Sequence, residues 1–173
     1  MTWKQVLEVV TCTASSLAHL HSLGACVSLL RSHLNTFACA LTPARAGISH
    51  GDVYGHNIMA RPDGAALLGD FGAATIYTAA GAGEGADAAA LQLQLQLQRI
   101  EVRALGVLML ELLSIVKDDG GSSSSSSGGS GSASQRMALI AQSCVSELFE
   151  ERPLFAAVLQ QLQQLQQLRA GGL

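Results

Sequence analysis

Apolar residues recur at helical spacing over the first 24 residues of the chain. They are Val6, Val9, Val10, Leu17, Leu20 and Leu23. Residues three, four and seven positions apart lie on the same side of a helix, so the pattern predicts one long amphipathic helix over residues 2–24. Gly24 follows the last apolar position, where a glycine commonly ends a helix.

The second half of the chain contains three further apolar stretches with the length of helices. One strongly hydrophobic stretch predicts a helix over residues 99–116, and another predicts a helix over residues 137–149. After a break at Pro153, leucines at positions 159, 162, 165 and 168 predict a final helix. A spacing of three drifts around a helix by about 60° per step, so these leucines do not indicate a coiled-coil seam.

Glycine, polar and ionisable residues interrupt short apolar runs over residues 47–72. This texture is typical of loops between short strands. The dipeptide Asp63-Gly64 is a turn sequence, so a short β-hairpin is expected there.

Three stretches are low in complexity. Residues 79–90 are almost entirely Ala, Gly and acidic residues, which bury little surface, so a mobile loop is expected. Residues 91–98 alternate strictly between Leu and Gln, which has the period of a strand and is also typical of low-complexity sequence, so no function is assigned to them. Residues 118–134 are rich in Gly and Ser and are expected to form a flexible surface loop between two helices.

Composition sets the expected class of fold. Hydrophobic residues make up 49% of the 173 residues, enough for one compact core, and mean hydropathy is +0.32. Only 4% of residues are aromatic, so Leu, Ala and Val must build that core, which favours helices over an all-β sandwich. The expected fold is mainly α, α+β overall, with the short β-hairpin as its β part.

Charge and cysteine spacing exclude several classes of partner. The formal net charge is −3 and no run of five Lys or Arg residues occurs, so nucleic acid is not an expected partner. No stretch of about 18 apolar residues occurs, so we expect no membrane segment and a soluble, cytoplasmic chain. Cys12, Cys26, Cys39 and Cys144 are widely spaced, which favours free thiols over a zinc site or a disulfide framework.

The residues that carry chemistry lie in residues 50–57, with the sequence HGDVYGHN, and in Asp70-Phe71-Gly72. Asp52, Asn57 and Asp70 provide three oxygen-bearing side chains in loops. Magnesium prefers oxygen ligands and shares them with substrate phosphates, while a separate aspartate could accept a proton from a hydroxyl group. The pattern therefore indicates metal and phosphate chemistry.

The order H-x-D-x-x-x-x-N followed by D-F-G resembles the catalytic loop and the magnesium loop of protein kinases. Three weaker matches extend the resemblance over nearly the whole chain, as the C-terminal lobe of such a domain. Residues 20–24 are similar to the end of the helix before the catalytic loop, and residues 101–107 to the central helix of the lobe, with Glu101 where the family usually has Asp. Arg152-Pro153-x-Phe155 is similar to the family's late Arg-Pro element.

The resemblance implies roles for individual residues and for cofactors. Asp52 would be the catalytic base, Asn57 and Asp70 the ligands of Mg²⁺, and Met59 an apolar floor under the adenine of ATP. The substrate would be a protein hydroxyl, on serine or threonine in preference to tyrosine. Residues that would support these loops are His50, Phe71, Gly72, Glu101 and Arg152.

Several family features have no counterpart in the chain. The glycine-rich loop, the strand lysine and the helix glutamate would precede the first matched helix, so we expect negligible phosphotransfer by the chain alone. Gly51 replaces the usual arginine, which leaves no side chain to hold a phosphorylated loop, and Tyr54 replaces the usual lysine. The Ala-Pro-Glu element is missing from residues 79–98, the expected activation segment, so Arg152 is expected to lack its acidic partner.

Residues 25–46 interrupt the resemblance. Joining Gly24 directly to Ile48 would give an unbroken kinase-like passage. We therefore interpret residues 25–46 as an insertion, arising from a retained intron or an error in the gene model.

Two other functions remain open at this point. The chain could be a kinase-like pseudoenzyme that serves as a protein-binding scaffold, because the N-terminal elements are missing and the activation segment is degenerate. It could also be a small-molecule phosphotransferase, a class that shares H-G-D-x-x-x-x-N, although the central-helix and Arg-Pro matches argue against this class.

Overall fold

The computed structural model of the chain describes residues 1–22, 46–78, 86–116 and 133–170. The helices in these ranges are α1 (Trp3–Ser22), α2 (Ala86–Ser114), α3 (Ala133–Cys144) and α4 (Phe155–Ala170). The strands are β1 (Ala46–Ser49), β2 (Ile58–Ala60), β3 (Ala66–Leu68) and β4 (Thr75–Thr78). Helical turns and helices hold 69% of the described residues, so the expected mainly helical fold with a small antiparallel β part is confirmed.

The core lies where the four helices meet. Helix α1 turns the predicted apolar side inward, because Val6, Val10 and Leu17 are fully buried. Helices α2, α3 and α4 contribute the other buried side chains of one continuous cluster, which include Val102, Leu105, Met109, Met137, Ile140, Phe155, Val158 and Leu162. Full burial of a Leu or Val side chain stabilises the folded state by about 1.5–3 kcal/mol. This cluster therefore holds the helices, and the loops that they carry, in fixed positions.

Strands β2 and β3 form the predicted antiparallel hairpin, with Met59 opposite Leu67. The turn is closed by hydrogen bonds from Arg61 N–H to the Ala65 carbonyl at 2.8 Å and from Gly64 N–H to the Arg61 carbonyl at 2.9 Å. Gly64 has a φ of +94°, a conformation that favours glycine. The expectation of a turn at Asp63-Gly64 is confirmed.

A second strand pair was not predicted. Strand β1 pairs antiparallel with β4, with Gly47 opposite Tyr77, and so joins the chain before the loop of residues 50–57 to the chain after Asp70-Phe71-Gly72. The strand pair also lies against the end of α1, because a Cβ atom on Gly47 would be 2.9 Å from the His21 carbonyl oxygen. Four-residue strands without a turn between them leave little local signal in the sequence.

The Leu-Gln alternation of residues 91–98 forms a helix and not the strand that its period would allow. The mobile loop expected for residues 79–90 is wrong for residues 86–90, which are also helical, and residues 79–85 lie outside the described residues. Helix α2 begins at Ala86 and continues unbroken to Ser114. Leu and Gln both have high helix propensity, and the repeat runs directly into the apolar stretch after Arg99. The Gln94 side chain also donates to the His21 carbonyl at 2.9 Å, which satisfies a backbone acceptor at the end of α1.

Two other boundaries also differ from the sequence-based expectation. The helix expected over residues 137–149 is α3, which begins at Ala133 and ends at Cys144, before a single helical turn at Phe149–Glu151. The Gly/Ser-rich stretch therefore gives its last two residues, 133 and 134, to α3, and the rest of it lies outside the described residues. Gly24 and the proposed insertion, apart from Ala46 in β1, also lie outside them.

Candidate functional site

Asp52 and Asn57 are held together by side-chain hydrogen bonds. A single helical turn at Gly55–Asn57 reverses the chain, so that the Asn57 Nδ2 donates to the Asp52 backbone oxygen at 2.8 Å and to its Oδ2 at 3.0 Å. Asn57 is buried and Asp52 is exposed. Because an amide carries its oxygen and nitrogen on opposite sides, Asn57 turns Oδ1 away from Asp52.

Asp70 has a strained backbone. Its φ of 55° and ψ of 77° lie in the left-handed region, and no other non-glycine residue in the described part of the chain has positive φ. Its Oδ1 accepts a hydrogen bond from Gly72 N–H at 3.2 Å, which stabilises this conformation. Such residues cost about 1–3 kcal/mol and are concentrated at functional sites.

The two loops are joined through Gly69. Its N–H donates to the Asn57 carbonyl at 2.8 Å, and its own carbonyl lies 2.9 Å from the His50 Nε2. His50 is fully buried, and its ring packs against Phe71 with centroids 4.9 Å apart. Gly69 therefore ties the Asn57 backbone to the residue immediately before Asp70.

The hydrogen bonds of His50 indicate its tautomer. Asp52 N–H approaches the His50 Nδ1 at 3.4 Å, so Nδ1 is the acceptor and the Nε2–H donates to Gly69. His50 thus links the two loops through its two ring nitrogens.

Glu101 is a buried carboxylate with three donors. The residue is 2% exposed. The Oε1 atom accepts hydrogen bonds from Gly51 N–H at 2.7 Å and from the Ser49 hydroxyl at 3.0 Å. The Oε2 atom lies 2.7 Å from the His21 Nε2. Burial by itself would raise the pKa of Glu101, but the hydrogen bonds from His21, Gly51 and Ser49, together with the charge interaction with His21, outweigh burial and hold the pKa below its usual value. The charge is therefore kept in the interior, where it fixes the backbone next to Asp52.

Tyr77 extends this network, and nothing in the sequence singled it out. Its hydroxyl lies 2.7 Å from the His21 Nδ1, so Tyr77, His21 and Glu101 form a continuous buried series that ends on Gly51. Burial, with a smaller effect of the Glu101 charge, raises the pKa of Tyr77 to about 12. The only sequence signal was indirect, since His21 belongs to the stretch matched at the end of the first helix.

The late Arg-Pro element contacts the site network through Phe155 and not through Arg152. Arg152 donates through Nε to the Ser146 carbonyl at 2.8 Å, its guanidinium carbon lies 5.3 Å from the centre of the Phe149 ring, and no ion pair links it to a carboxylate within the described residues. Phe155 is buried and packs against the His21 ring with centroids 5.4 Å apart. The element therefore supports the buried histidine through Phe155.

Apolar side chains remain exposed on the hairpin beside these loops. Met59 and Leu67 are cross-strand partners and are 63% and 64% exposed, and Phe71 is half-exposed. We call Met59, Leu67 and Phe71 the hairpin face. Met59 is thus on an open surface that a flat apolar group could cover.

A cleft of about 590 Å³ opens between the turn after Asp52 and the end of α2. Tyr54 and His56, whose rings are 5.3 Å apart, line one wall, and Leu112 and Ile115 line the other. Glu111 adds a carboxylate to this second wall. The cleft has the size and mixed lining of a binding groove for an extended chain or a small molecule.

Asn57 and Asp70 each keep one side-chain oxygen that accepts no hydrogen bond from the residues that the structure describes. These oxygens are the Asn57 Oδ1 and the Asp70 Oδ2. Among those residues no group of three or more His, Cys, Asp or Glu side chains could hold a metal ion. Magnesium commonly binds to one or two protein ligands plus water and phosphate oxygens, so two oxygen donors suffice only when phosphate is present.

Comparison with known protein families and with curated proteins found no match for this chain. Within the described residues, no helix is both long enough and apolar enough to cross a membrane. The free cysteines in those residues are Cys12 and Cys144, of which Cys144 is buried.

Proposed function

We propose that the chain is the C-terminal lobe of a protein kinase domain, which transfers the γ-phosphoryl group of ATP to a protein hydroxyl, on serine or threonine, with Mg²⁺. The observation that carries this proposal is the joined pair of loops. Asn57 bonds to Asp52 through its side chain and to Gly69 through its backbone, and Gly69 precedes the strained Asp70.

Each of the three polar residues has a distinct role in the proposed reaction. Asp52 accepts the proton of the substrate hydroxyl, and because Asn57 binds its Oδ2, the free Oδ1 is the oxygen that receives that proton. Asn57 and Asp70 would hold the cation, which would neutralise phosphate charge when bound. The hydrogen bond from Asn57 also keeps the Asp52 carboxylate turned in one direction before substrate arrives.

The surroundings supply two candidate surfaces for substrates. Met59 on the hairpin face would lie under the adenine, because its side chain is exposed and apolar beside the Asn57 loop. The cleft lined by Tyr54 and His56 begins two residues after Asp52, so a protein segment lying in it would bring a hydroxyl near that carboxylate.

Binding rather than turnover is the direct test, because the family's phosphate-positioning Lys–Glu pair has no counterpart among the residues matched here. Calorimetry of ATP binding should show an association that requires Mg²⁺ and that Asp70→Asn abolishes. The matched control is Asp63→Asn, since Asp63 lies in the hairpin turn with a 59% exposed side chain and should leave binding intact. ATP binding that does not require magnesium, or that persists in Asp70→Asn, would reject the assignment of Asp70 as a magnesium ligand.

A second function, a protein-binding scaffold without phosphotransfer, is favoured by the exposed hairpin face. The same calorimetry separates the two functions. No binding of ATP to either the unaltered chain or Asp63→Asn would reject the kinase proposal and favour the scaffold.

A further inference from the structure

The phenol of Tyr77 reaches the interior only because the opposing strand residue has no side chain. Gly47 is the direct cross-strand partner of Tyr77. A Cβ atom on Gly47 would overlap the Tyr77 hydroxyl and its ring carbon Cζ, and would also lie 2.9 Å from the His21 carbonyl oxygen. Gly47 and Tyr77 are therefore a matched pair, in which an absent side chain makes room for a phenol.

The histidine that Tyr77 contacts lies against two aromatic rings. The His21 ring packs against Tyr77, with centroids 5.8 Å apart, and against Phe155, with centroids 5.4 Å apart. His21 is 1% exposed, so its two ring nitrogens have no access to water and depend on Tyr77 and Glu101 for hydrogen bonds.

The charge of Glu101 fixes the direction of one hydrogen bond. The ionised carboxylate can only accept, so the His21 Nε2–H donates to it, and the Tyr77 hydroxyl bonds to the other ring nitrogen, Nδ1. Glu101 then holds Gly51 N–H with its other oxygen, at 2.7 Å. A series of hydrogen bonds therefore runs from the strand after Asp70-Phe71-Gly72 to the residue before Asp52.

We propose that Tyr77 is a positioning residue, whose hydroxyl acts through His21 and Glu101 to hold the backbone of Gly51 and Asp52 in place. The inference rests on the proposed function in taking Asp52 as the reacting carboxylate. Gly51 offers no cationic side chain that could hold a phosphorylated loop. The series of hydrogen bonds from Tyr77 joins the strand after Asp70-Phe71-Gly72 to the loop that carries Asp52, and it does so without a phosphate group. The position of Asp52 therefore does not depend on phosphorylation.

The test measures amide hydrogen exchange at Gly51 by NMR in Tyr77→Phe, which keeps the ring and removes only the hydroxyl. Loss of one buried hydrogen bond should speed exchange at Gly51 by about fivefold relative to the amides of Val10 and Leu17 in the α1 core. The ¹⁵N shifts of the His21 ring should change in the same variant, because Nδ1 loses its hydrogen-bond partner. Gly47→Ala should reproduce both effects with Tyr77 still present.

The matched control is Tyr54→Phe, since the chain has two tyrosines and Tyr54 is the exposed one. This variant should change neither exchange at Gly51 nor the His21 shifts. Unchanged protection of Gly51 in Tyr77→Phe, or equal acceleration at Gly51 and Leu17, overturns the proposal, because a merely structural tyrosine would lower protection everywhere.

Two further measurements keep the outcome decisive. If Tyr77→Phe does not fold, the Tyr54→Phe protein is used instead, because Tyr77 is then its only tyrosine. Its NMR spectrum should show a tyrosine hydroxyl proton that is protected from solvent and close to the His21 ring. Absence of that proton signal overturns the proposal. Magnesium-dependent ATP binding is measured on the unaltered chain. Failure of that binding rejects the proposed function, while exchange at Gly51 still decides whether Tyr77 positions the loop.

Discussion

At the scale of single residues, Glu101 combines burial with charge. A carboxylate that is 2% exposed stays ionised because His21, Ser49 and Gly51 donate to it. Such a group stabilises the fold only while all of its donors are in place, and removal of the charge leaves those donors without an acceptor.

Glu101→Gln should therefore lower the free energy of unfolding by about 3 kcal/mol, because the amide nitrogen would face groups that are themselves donors. Urea denaturation at neutral pH measures the change. Glu150→Gln is the control, since Glu150 pairs with Arg99 but is 77% exposed, and it should cost less than about 1 kcal/mol. Equal losses in the two variants would contradict the role given to Glu101.

The same residue predicts a pH dependence. Because the pKa of Glu101 is lowered in the folded state, its stabilisation is complete above the ordinary glutamate value of 4.5 and is lost as pH falls through the folded-state pKa. The difference in unfolding free energy between the unaltered chain and Glu101→Gln should thus shrink as pH falls below about 4.5. A difference that stays constant with pH would show that the lost charge does not account for the effect.

Gly51 is constrained by its backbone as well as by Glu101. Its φ is +79°, and a Cβ atom there would lie 2.6 Å from the Ala73 carbonyl oxygen. Gly51→Ala should destabilise the fold by about 1–3 kcal/mol, measured by chemical denaturation. Gly55→Ala in the same loop is the control, because nothing lies within 4 Å of its Cβ position, and little change is expected there.

At the scale of elements, helix α2 joins a low-complexity repeat to a closely packed centre. Gln96 is exposed in the repeat, whereas a Cβ atom on Gly106 would lie 2.6 Å from the Cys144 Cβ and 3.1 Å from the Ala141 carbonyl oxygen. Alanine is the best helix former at both positions, so the two sites separate helix propensity from packing.

Gln96→Ala should be neutral or slightly stabilising if residues 91–98 are helical in solution, whereas in a strand alanine would be unfavourable. Gly106→Ala should instead lower stability by about 1–3 kcal/mol, because overpacking against α3 exceeds the gain in propensity. Thermal denaturation followed by circular dichroism measures both. A loss of stability in Gln96→Ala would contradict the helical assignment of the repeat.

At the scale of the whole molecule, a continuous helical core lies beneath a surface that exposes apolar side chains on both the helices and the hairpin. The hairpin face presents Met59, Leu67 and Phe71 to solvent next to the candidate site. Met59 and Leu67 are adjacent across the two strands, and adjacent exposed apolar side chains promote association more than single ones do.

Leu67→Gln should therefore raise the protein concentration at which the chain self-associates, by about tenfold if roughly 1.4 kcal/mol of apolar contact is lost. Light scattering over a concentration series measures the shift. Leu148→Gln is the matched control, because Leu148 is exposed to nearly the same degree, 63% against 64%, but lies outside the hairpin face. Equal shifts in the two variants would show that the hairpin face has no special part in association.

The sequence by itself determined the features that depend on near neighbours. Periodicity was enough for α1, and Asp63-Gly64 was enough for the hairpin turn, because both signals lie within a few residues. The order of Asp52, Asn57 and Asp70 likewise pointed to one polar site before the contacts among their loops were known.

Only the tertiary structure decided how that site is held. The Tyr77–His21 and His21–Glu101 contacts join residues 56 and 80 positions apart, and no local pattern encodes contacts at such separations. The alternation in residues 91–98 was equally undetermined locally, because Leu and Gln suit a strand by period and a helix by propensity. The structure decides for the helix, because the repeat continues without a break into the buried stretch after Arg99. Burial of Val102, Leu105 and Met109 against α1 and α3 provides the stability that the repeat lacks.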